Sequence, residues 1–520
     1  MQKRLIIAIA MSFLVLLGFE FYYSKTFVPL KKQPVEQNSI EKTKDVSSTP
    51  TASIPAISTE KIKPQELKSS TKNLENAKDI VLETKKIRAT FTNKGAKLKS
   101  FILKEFNENK QPVDLVSKEL QENFPFKLEL AGNSDNKIWE VTEEKNGVSF
   151  KTKTGDLTIT KKFLFDDNTY KVKLDIEVLN LGKENQEIKD LTLWWGPGII
   201  ADKKDLLEIS AVVFANNKIT KFKAHKIGEP KIVSGNISWI GLKDKYFMVN
   251  LAPENDIAQS CKVERNSEGR LSIGVQLKPL VLEKNAKKNI SFALYMGPLI
   301  LEELRPLNIG LDKALDFGIF SWLGIWFLII MKFLYKIVPN WGLAIILLTV
   351  LIKIVLWIPT QKSYKSMKMM QNLQPQFKVL KEQYKNDPKL LNQQMMKLYK
   401  ENKVNPLGGC LPMLLQLPIF YALYTILTNA IELRSAPFIF WITDLSLKDP
   451  YYVSALLMGV TMFIQQKMTP AADPQQAKIM LVLPVIFTVM FAGLPAGVLL
   501  YWIIQNILSI IQQYHVNQSN

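Results

Sequence analysis

A single lysine, Lys353, lies within the apolar stretch at residues 341–359, WGLAIILLTVLIKIVLWIP. A cation inside a membrane span costs about 2.5–3.5 kcal/mol on insertion scales, so such residues usually face a polar interior and take part in function. No Asp or Glu occurs in the later apolar segments, which are residues 410–428, 451–466, 478–493 and 496–512. The pattern predicts a cation that attracts a negative charge from another molecule. Snorkelling of the ammonium group to nearby headgroups is the alternative.

Polar positions recur on the same apolar segments. Thr349 lies four residues before Lys353 and therefore shares its helix face. One face of the last segment carries Trp502, Gln505, Asn506 and Ser509 at the spacing i, i+3, i+4 and i+7. Converging faces would form a hydrophilic groove that tolerates the lysine; alternatively, each polar group only joins neighbouring helices. The predicted groove residues are Lys353, Thr349, Gln416, Gln465, Trp502 and Gln505.

The rest of the chain supplies the elements that position these residues. Residues 1–24 have a basic start and an apolar core but no small-residue cleavage site, which predicts an uncleaved signal-anchor helix; a cleaved signal peptide is the alternative. Residues 25–78 are rich in Lys, Ser, Thr, Pro and Glu and predict a flexible linker. With five helices in a core at residues 341–520, the chain is predicted to have six transmembrane helices and cytosolic N- and C-termini.

Residues 79–305 show the period-two pattern of β-strands. Apolar Tyr170, Val172, Leu174, Ile176 and Val178 alternate with polar residues, which predicts one buried and one solvated face. An antiparallel β-sandwich is the economical interpretation. The fold class is therefore mixed, a polytopic α-helical membrane domain plus an external sandwich. The WWGPG run at residues 194–198 favours a core corner between sheets over a platform for stacking a sugar.

Residues 306–340 are predicted to be a linker and an interfacial amphipathic helix. The charge-free part of residues 317–336 is short for a membrane span, and tryptophans and lysines flank or interrupt it. If this segment crossed the bilayer, the lysine-rich loop that follows residue 359 would lie outside, against the positive-inside rule. A spanning helix is the alternative.

Residues 361–405 carry ten lysines against three acidic residues, a net charge of +7, which predicts a cytosolic location. Apolar residues recur at helical spacing on both sides of Asn386-Asp387-Pro388, and Pro388 suits the first turn of a second helix. The segment therefore predicts an antiparallel helical hairpin. Its methionines and aromatic residues could form an adaptable docking surface, with packing between the two helices as the alternative. The candidates are Phe377, Tyr384, Met395 and Met396.

The composition argues against several function classes. The net charge is +19, but no zinc pattern, basic zipper or RNA-binding motif accompanies it, and membrane topology explains it. With only His225 and His515 as histidines, no metal, cofactor or catalytic residue is predicted, and no nucleic acid binding is expected. An ion- or anion-coupled transporter that uses Lys353 would predict an internal repeat, which we do not find. A membrane-anchored sugar-binding protein is the second alternative.

Three segments resemble the YidC/Oxa/Alb family of membrane protein insertases. They are NPLGGC with LPMLLQLPIFYALY at residues 405–424, DPYYVSALLMGVTMFIQQKM at 449–468 and PVIFTVMFAGLPAGVLLYWIIQN at 484–506. The stretch DIVLETKKIRATFTNKGAKLKSF at 79–101 resembles the start of the periplasmic domain, a so-called super-sandwich, in the Gram-negative form of the family. The resemblance covers the whole chain.

The resemblance implies an insertase or chaperone that moves nascent membrane protein segments from the cytosolic side into the bilayer. Its hydrophilic groove would contain one basic residue at Lys353, where many members have Arg. Thr349 and Gln416 match groove positions, and Trp502 stands where some relatives have Tyr. The implied partners are nascent membrane proteins, the Sec translocon, ribosome–nascent chain complexes, signal-recognition components and membrane lipids. The implied location is the inner membrane, with the large domain in the periplasm and no covalent catalysis or nucleotide use.

Overall fold

The computed structural model describes residues 77–108, 111–116, 125–130, 133–134, 137–200, 209–315, 317–402, 404, 411–469 and 474–518. The predicted signal anchor and nearly all of the predicted linker lie outside these residues. The described residues fall into two compact units. Residues 372–404 belong to the first, and the remaining described residues belong to the second.

The N-terminal part of the second unit consists of β-strands, and we call it the β-domain. In chain order the strands are β1 (Asp79–Glu83), β2 (Ile87–Thr92), β3 (Lys97–Glu108), β4 (Gln111–Asp114), β5 (Lys127–Leu130), β6 (Asn133–Ser134), β7 (Glu140–Glu144), β8 (Gly147–Thr154), β9 (Leu157–Phe165), β10 (Lys171–Asn180), β11 (Gln186–Ile188), β12 (Leu191–Trp195), β13 (Ser210–Ala215), β14 (Lys218–Lys223), β15 (Lys231–Ser234), β16 (Ile237–Lys243), β17 (Phe247–Pro253), β18 (Ala258–Arg265), β19 (Leu271–Leu277), β20 (Leu280–Leu282) and β21 (Lys287–Pro298).

Two large antiparallel sheets dominate the β-domain. The nine-stranded sheet has the order β14-β13-β16-β17-β21-β10-β9-β8-β7, and the six-stranded sheet has the order β15-β18-β19-β12-β5-β6. Strand β16 of the first sheet faces β18 and β19 of the second, and apolar residues of both sheets share one hydrophobic core. The predicted antiparallel β-domain is confirmed, and its layers are those of a sandwich.

Strand β10 shows why these sequences form strands. Val172, Leu174, Ile176 and Val178 are buried, whereas the residues between them are partly or fully exposed. Burying each of these side chains contributes about 1.5–3 kcal/mol. The predicted period-two face is therefore confirmed, and a charged residue at Ile176 would place that charge in the core.

The rest of the described chain is mainly helical. The α-helices are α1 (Leu301–Leu304), α2 (Ser321–Ile337), α3 (Trp341–Val355), α4 (Trp357–Asn372), α5 (Gln374–Gln383), α6 (Pro388–Glu401), α7 (Leu411–Asn429), α8 (Val453–Met468), α9 (Pro474–Phe491) and α10 (Ala496–Gln518). Helix α3 packs against α2 and α10, and α8 packs against α9 and α10. These contacts bury an apolar interior that includes Leu328, Ile345 and Val498.

The stretch predicted as one span at residues 341–359 is broken in the structure. Helix α3 ends at Val355, and α4 begins at Trp357 after a bend of 66°. Pro359 explains the position of the new helix start, because it lies in the first turn of α4, where its missing N–H loses no helical hydrogen bond. The polar sequence that follows is helical as far as Asn372.

Few of the described helices are long and apolar enough to cross a membrane. Helix α10 is long and apolar enough alone, and α3 and α4 are so only when they are taken together as a bent pair. Shorter apolar helical segments occupy Leu414–Asn429 and Met480–Phe491. The six-helix topology and the interfacial position of residues 317–336 stay predictions.

Charged residues join the β-domain to the helices that follow it. The Lys332 ammonium group on α2 lies 2.6 Å from a Glu302 carboxylate oxygen and 2.5 Å from one of Glu432. The Arg434 guanidinium group lies 5.1 Å from the centre of the Phe247 ring and 3.8 Å from a Glu108 carboxylate oxygen. The loop after α7 thus contacts the β-domain through the ion pair and the ring contact of Arg434. It contacts α2 through the ion pair between Glu432 and Lys332.

Candidate functional site

The Lys353 side chain is buried inside the helical part of the second unit. Only 4% of its surface is exposed. Its ammonium group donates a hydrogen bond to the Ser509 hydroxyl oxygen on α10 at 2.9 Å, and it lies 6.0 Å from the centre of the Tyr364 ring on α4. Three helices therefore meet around one cation.

This cation lacks a counter-charge within the described part of the chain. Ser509 is the one hydrogen-bond partner of Lys353 there, and the described carboxylates form their ion pairs with other residues. A lysine ammonium group has three N–H donors, so two of them lack a partner among the described protein groups. The geometry leaves Lys353 able to bind an additional acceptor.

Helix α4 covers the site next to Tyr364. The Thr360 hydroxyl and the Gln512 side-chain amide on α10 are hydrogen-bonded at 3.0 Å, and the same amide donates to the Trp357 carbonyl oxygen at 3.0 Å. Further along, the Lys368 ammonium group donates to the Asn517 carbonyl oxygen at 2.9 Å. Because these bonds hold α4 against α10, an incoming group must displace part of α4, or approach between other helices, to reach Lys353.

A second polar cluster joins α7 to α10. The Gln416 side-chain amide donates to the Tyr501 hydroxyl group, and the Gln505 amide donates to the Gln416 carbonyl oxygen at 3.3 Å. The structure thus brings together two of the predicted groove residues. Pro418 lies inside α7 two residues after Gln416, where it cannot donate a backbone hydrogen bond.

The other predicted groove residues have different surroundings. Thr349 is 1% exposed, and its hydroxyl group donates to the Ile345 carbonyl oxygen one turn back at 2.7 Å. The Trp502 ring contacts the rings of Phe420 and Phe491. Gln465 is partly exposed on α8. None of these three makes a described hydrogen bond with Lys353, and their roles in a groove stay predictions.

The closest contacts of Lys353 come from residues outside the predicted set. Ser509 already belongs to the polar stripe that the sequence shows on the last helix, although it is not one of the six predicted groove residues, and the same spacing continues to Gln512. Tyr364 gives no comparable signal, because it lies beyond the helix break at Leu356 in a segment that reads as polar loop.

The predicted hairpin residues belong to the first unit. Helix α6 begins at Pro388, and the Asp387 side chain caps it by accepting hydrogen bonds from two backbone N–H groups. Phe377 is buried and its ring lies 5.1 Å from that of Tyr399, so it contributes to packing between α5 and α6. The three remaining candidates are less enclosed, with Met396 49% exposed and both Tyr384 and Met395 partly buried. Met396 is the best placed of the four for docking.

Comparison with known proteins agrees with the two-part architecture. The family model for the 60Kd inner membrane protein matches residues 333–520, and that for the YidC periplasmic domain matches residues 79–330. The membrane protein insertase YidC of Syntrophus aciditrophicus (strain SB) is 36% identical over the full length of both chains. That of Geotalea daltonii is 40% identical over 100% of this chain and 99% of the relative.

Among solved structures, an active YidC insertase with its first transmembrane domain resolved matches 85% of this chain and 93% of its own, at 19% identity and a TM-score of 0.39. The full-length sequence relatives and the two family models decide the assignment. The chain belongs to the YidC family of membrane protein insertases.

Proposed function

We propose that this protein inserts nascent membrane protein segments into the inner membrane and that Lys353 attracts acidic residues of the incoming chain. The incoming segment would enter from the cytosolic side through a hydrophilic groove, either alone or with the Sec translocon. Family membership supports the insertase activity, and the environment of Lys353 supports its role.

The observation that carries this role is a buried ammonium group with a single neutral partner. Burying a charge without a counter-charge is unfavourable, and such a group binds an anion strongly when one arrives. The attraction between two charges is greater in a low-dielectric, partly wet groove than in bulk water. An acidic residue in a substrate tail would therefore be held briefly at Lys353, displacing Ser509 or adding to it.

Release needs no covalent step or nucleotide. The apolar segment of the substrate leaves water for lipid, at about 25 cal/mol per Å² of apolar surface removed from water. This gain increases as more of the segment reaches the bilayer, whereas the attraction at Lys353 acts on one short stretch of the tail. The lysine would therefore guide the start of insertion, and the hydrophobic effect would complete it.

The hairpin formed by α5 and α6 would receive substrates or their targeting factors on the cytosolic side. Its net positive sequence and the exposed Met396 side chain suit a contact with ribosome–nascent chain complexes or signal-recognition components. The multi-pass topology, with the β-domain in the periplasm, belongs to the same proposal.

The test uses Lys353→Arg, Lys353→Ala and Lys353→Glu with two single-span reporters. One reporter has an acidic N-terminal tail, and its match carries Asn and Gln in place of the acidic residues. Protease protection of the tail measures translocation in vesicles. Lys336→Ala, which changes an exposed lysine on α2, is the control variant.

We expect Lys353→Arg to retain insertion of the acidic tail, and both Ala and Glu to reduce it by about tenfold or more, equivalent to about 1.4 kcal/mol. The neutral tail should be much less affected. Equal loss for both reporters would show that Lys353 supports the fold rather than attracts charge. Full activity of Lys353→Ala with the acidic tail would rule out the proposed role.

A further inference from the structure

Two adjacent tryptophans on β12 point to opposite faces of the six-stranded sheet. Trp195 is 1% exposed in the hydrophobic core, where its indole N–H donates to the Gly198 carbonyl oxygen at 3.2 Å. Trp194 is only partly buried and lines a pocket of about 410 Å³ on the other face. The prediction of a core corner therefore describes Trp195, and Trp194 requires a separate explanation.

The Trp194 ring is held flat against the sheet. Its indole N–H donates to a Glu129 carboxylate oxygen on β5 at 2.7 Å. On the neighbouring strand β19, Gly274 is paired with Trp194, and a Cβ atom at Gly274 would lie 2.9–3.0 Å from three carbons of the ring. The ring therefore occupies the space that a side chain at position 274 would need. Its position is fixed before any ligand arrives.

Charged side chains flank this ring in the same cross-strand row. Lys127 on β5 is paired with Trp194, and Lys262 on β18 is paired with Gly274. Both lysines line the pocket, and neither has an ion-pair or hydrogen-bond partner within the described ranges. Glu264, Asn266 and Ser272 complete the polar wall. The pocket thus combines one flat aromatic surface with two available cations and several hydrogen-bonding groups.

We propose that this pocket binds an oligosaccharide that carries a carboxylate. The C–H groups on the apolar face of a pyranose ring suit the negative face of an indole ring. The carboxylate would bind Lys127 or Lys262, and the hydroxyl groups would bind the polar wall. The volume lies within the range of small-molecule sites, and one or two sugar rings fit it.

Two other ligand classes suit the site less well. A peptide that adds a strand needs an unpaired sheet edge, but β12 and β19 both lie inside the sheet with neighbours on each side. A cationic ligand would meet two lysines, and because the Glu129 carboxylate already accepts the indole N–H, Glu264 is the remaining carboxylate of the described lining that could hold it. Because this domain matches the YidC periplasmic domain, acidic sugars of the cell wall are the accessible source.

The experiment titrates the full-length protein in nanodiscs by calorimetry. The acidic probe is the disaccharide of N-acetylglucosamine and N-acetylmuramic acid, and the neutral probe is di-N-acetylchitobiose, which lacks the lactyl carboxylate. A uronic acid disaccharide distinguishes the cell wall from other acidic sugars as the source. Lys127→Gln, Lys262→Gln, Trp194→Ala and Gly274→Ala change the site. Lys231→Gln, at an exposed lysine of the same sheet, is the control.

We expect the acidic probe to bind at least about tenfold more tightly than the neutral one, and Trp194→Ala to weaken it by about tenfold or more. Each lysine substitution should weaken the binding of the acidic probe by about threefold to tenfold and leave the binding of the neutral probe unchanged. Gly274→Ala keeps every charge but displaces the Trp194 ring, so it should also weaken binding. This variant keeps the proposal testable if Trp194→Ala fails to fold. Absence of binding by the acidic probes, or equal binding of acidic and neutral probes, would overturn the proposal.

Discussion

Two buried lysines of this molecule have opposite surroundings. Lys161 on β9 is 0% exposed, and its ammonium group donates to the carbonyl oxygens of Gly95, Ala96 and Phe126 at 3.1, 3.4 and 2.9 Å. Lys353 on α3 is almost as buried, but its one described hydrogen bond goes to a serine hydroxyl group. Burial alone therefore does not show whether the hydrogen-bond donors of a buried cation are all used.

The difference lies in how the three N–H donors of each ammonium group are used. The carbonyl oxygens around Lys161 can accept all three, and the Trp139 ring centre lies 4.9 Å away on another side. That site is complete and has no use for a ligand. Among the described residues, the Lys353 ammonium group has one hydrogen-bond partner, which leaves two N–H donors for a charge from outside.

The largest effect is expected when the complete site is broken. Lys161→Met leaves three backbone carbonyl oxygens without their donor inside the core, and each unsatisfied group costs about 1–3 kcal/mol. We expect the β-domain to lose about 3–5 kcal/mol of unfolding free energy. Hydrogen exchange in β8, β9 and β10 measures it. Lys173→Met, at an exposed lysine on β10, is the control. If the Lys161→Met variant exchanged at the same rates as this control, Lys161 would not be a stabilising cation.

Replacing Lys353 by methionine should leave the free energy of unfolding unchanged or raise it, in contrast to Lys161→Met. Lys353→Met replaces an incompletely paired buried charge with an apolar side chain of similar length, a change that is neutral or stabilising by about 1–4 kcal/mol in comparable sites. Insertion of an acidic-tailed reporter should nevertheless fall. Hydrogen exchange in α3 and α10 reads out stability, and a protease-protection assay reads out insertion. Destabilisation as great as that of Lys161→Met would place both lysines in one class.

The sequence predicts more of the β-strands than of the side-chain contacts around Lys161 and Lys353. The alternation around Leu174 and Ile176 is enough to predict β10, because a strand face depends on local side-chain order. Lys353 stands out as a charge in an apolar run for the same local reason. The sequence does not predict that Lys161 is buried, since lysines are common in the polar β-domain and its three acceptors lie 35 to 66 residues away. Tyr364 approaches Lys353 only because α4 bends by 66° after α3, a geometry that no local pattern contains.

Cross-linking α4 to α10 would sharpen the comparison, because the role proposed for Lys353 requires a route to its ammonium group, whereas Lys161 needs none. Thr360→Cys with Gln512→Cys replaces the hydrogen-bonded pair that joins α4 to α10. With Cys410→Ser in the background and Cys261 buried in the core of the β-domain, a short cleavable bifunctional thiol reagent would link the two helices. We expect a severalfold fall in acidic-tail insertion after cross-linking, restored when the link is cleaved. Each single cysteine variant is the control, and full activity of the linked protein would show that substrates reach Lys353 without moving α4.

The partly buried carboxylate of Asp244 is a third case, in which the charge is only partly compensated and the expected effect is smaller. Asp244, between β16 and β17, accepts backbone hydrogen bonds from Tyr246 at 2.8 Å and Phe247 at 2.6 Å. Burial raises the pKa of its carboxyl group from the ordinary 3.8 to about 6, although these hydrogen bonds and the nearby Arg434 cation oppose the shift. The folded protein therefore holds this proton more tightly than the unfolded chain does.

The sign of the pH dependence follows from that shift. The contribution of Asp244 to stability is complete below about pH 4 and is lost as the pH rises through about 6. Asp244→Asn keeps an oxygen acceptor for both N–H groups and removes the titration, so the loss between these pH values should shrink by on the order of 1 kcal/mol. Unfolding of the full-length protein at several pH values, followed at the β-domain, measures it, with Asp256→Asn at an exposed carboxylate as control. An unchanged slope would mean that Arg434 compensates the charge fully, as the carbonyl oxygens do for Lys161.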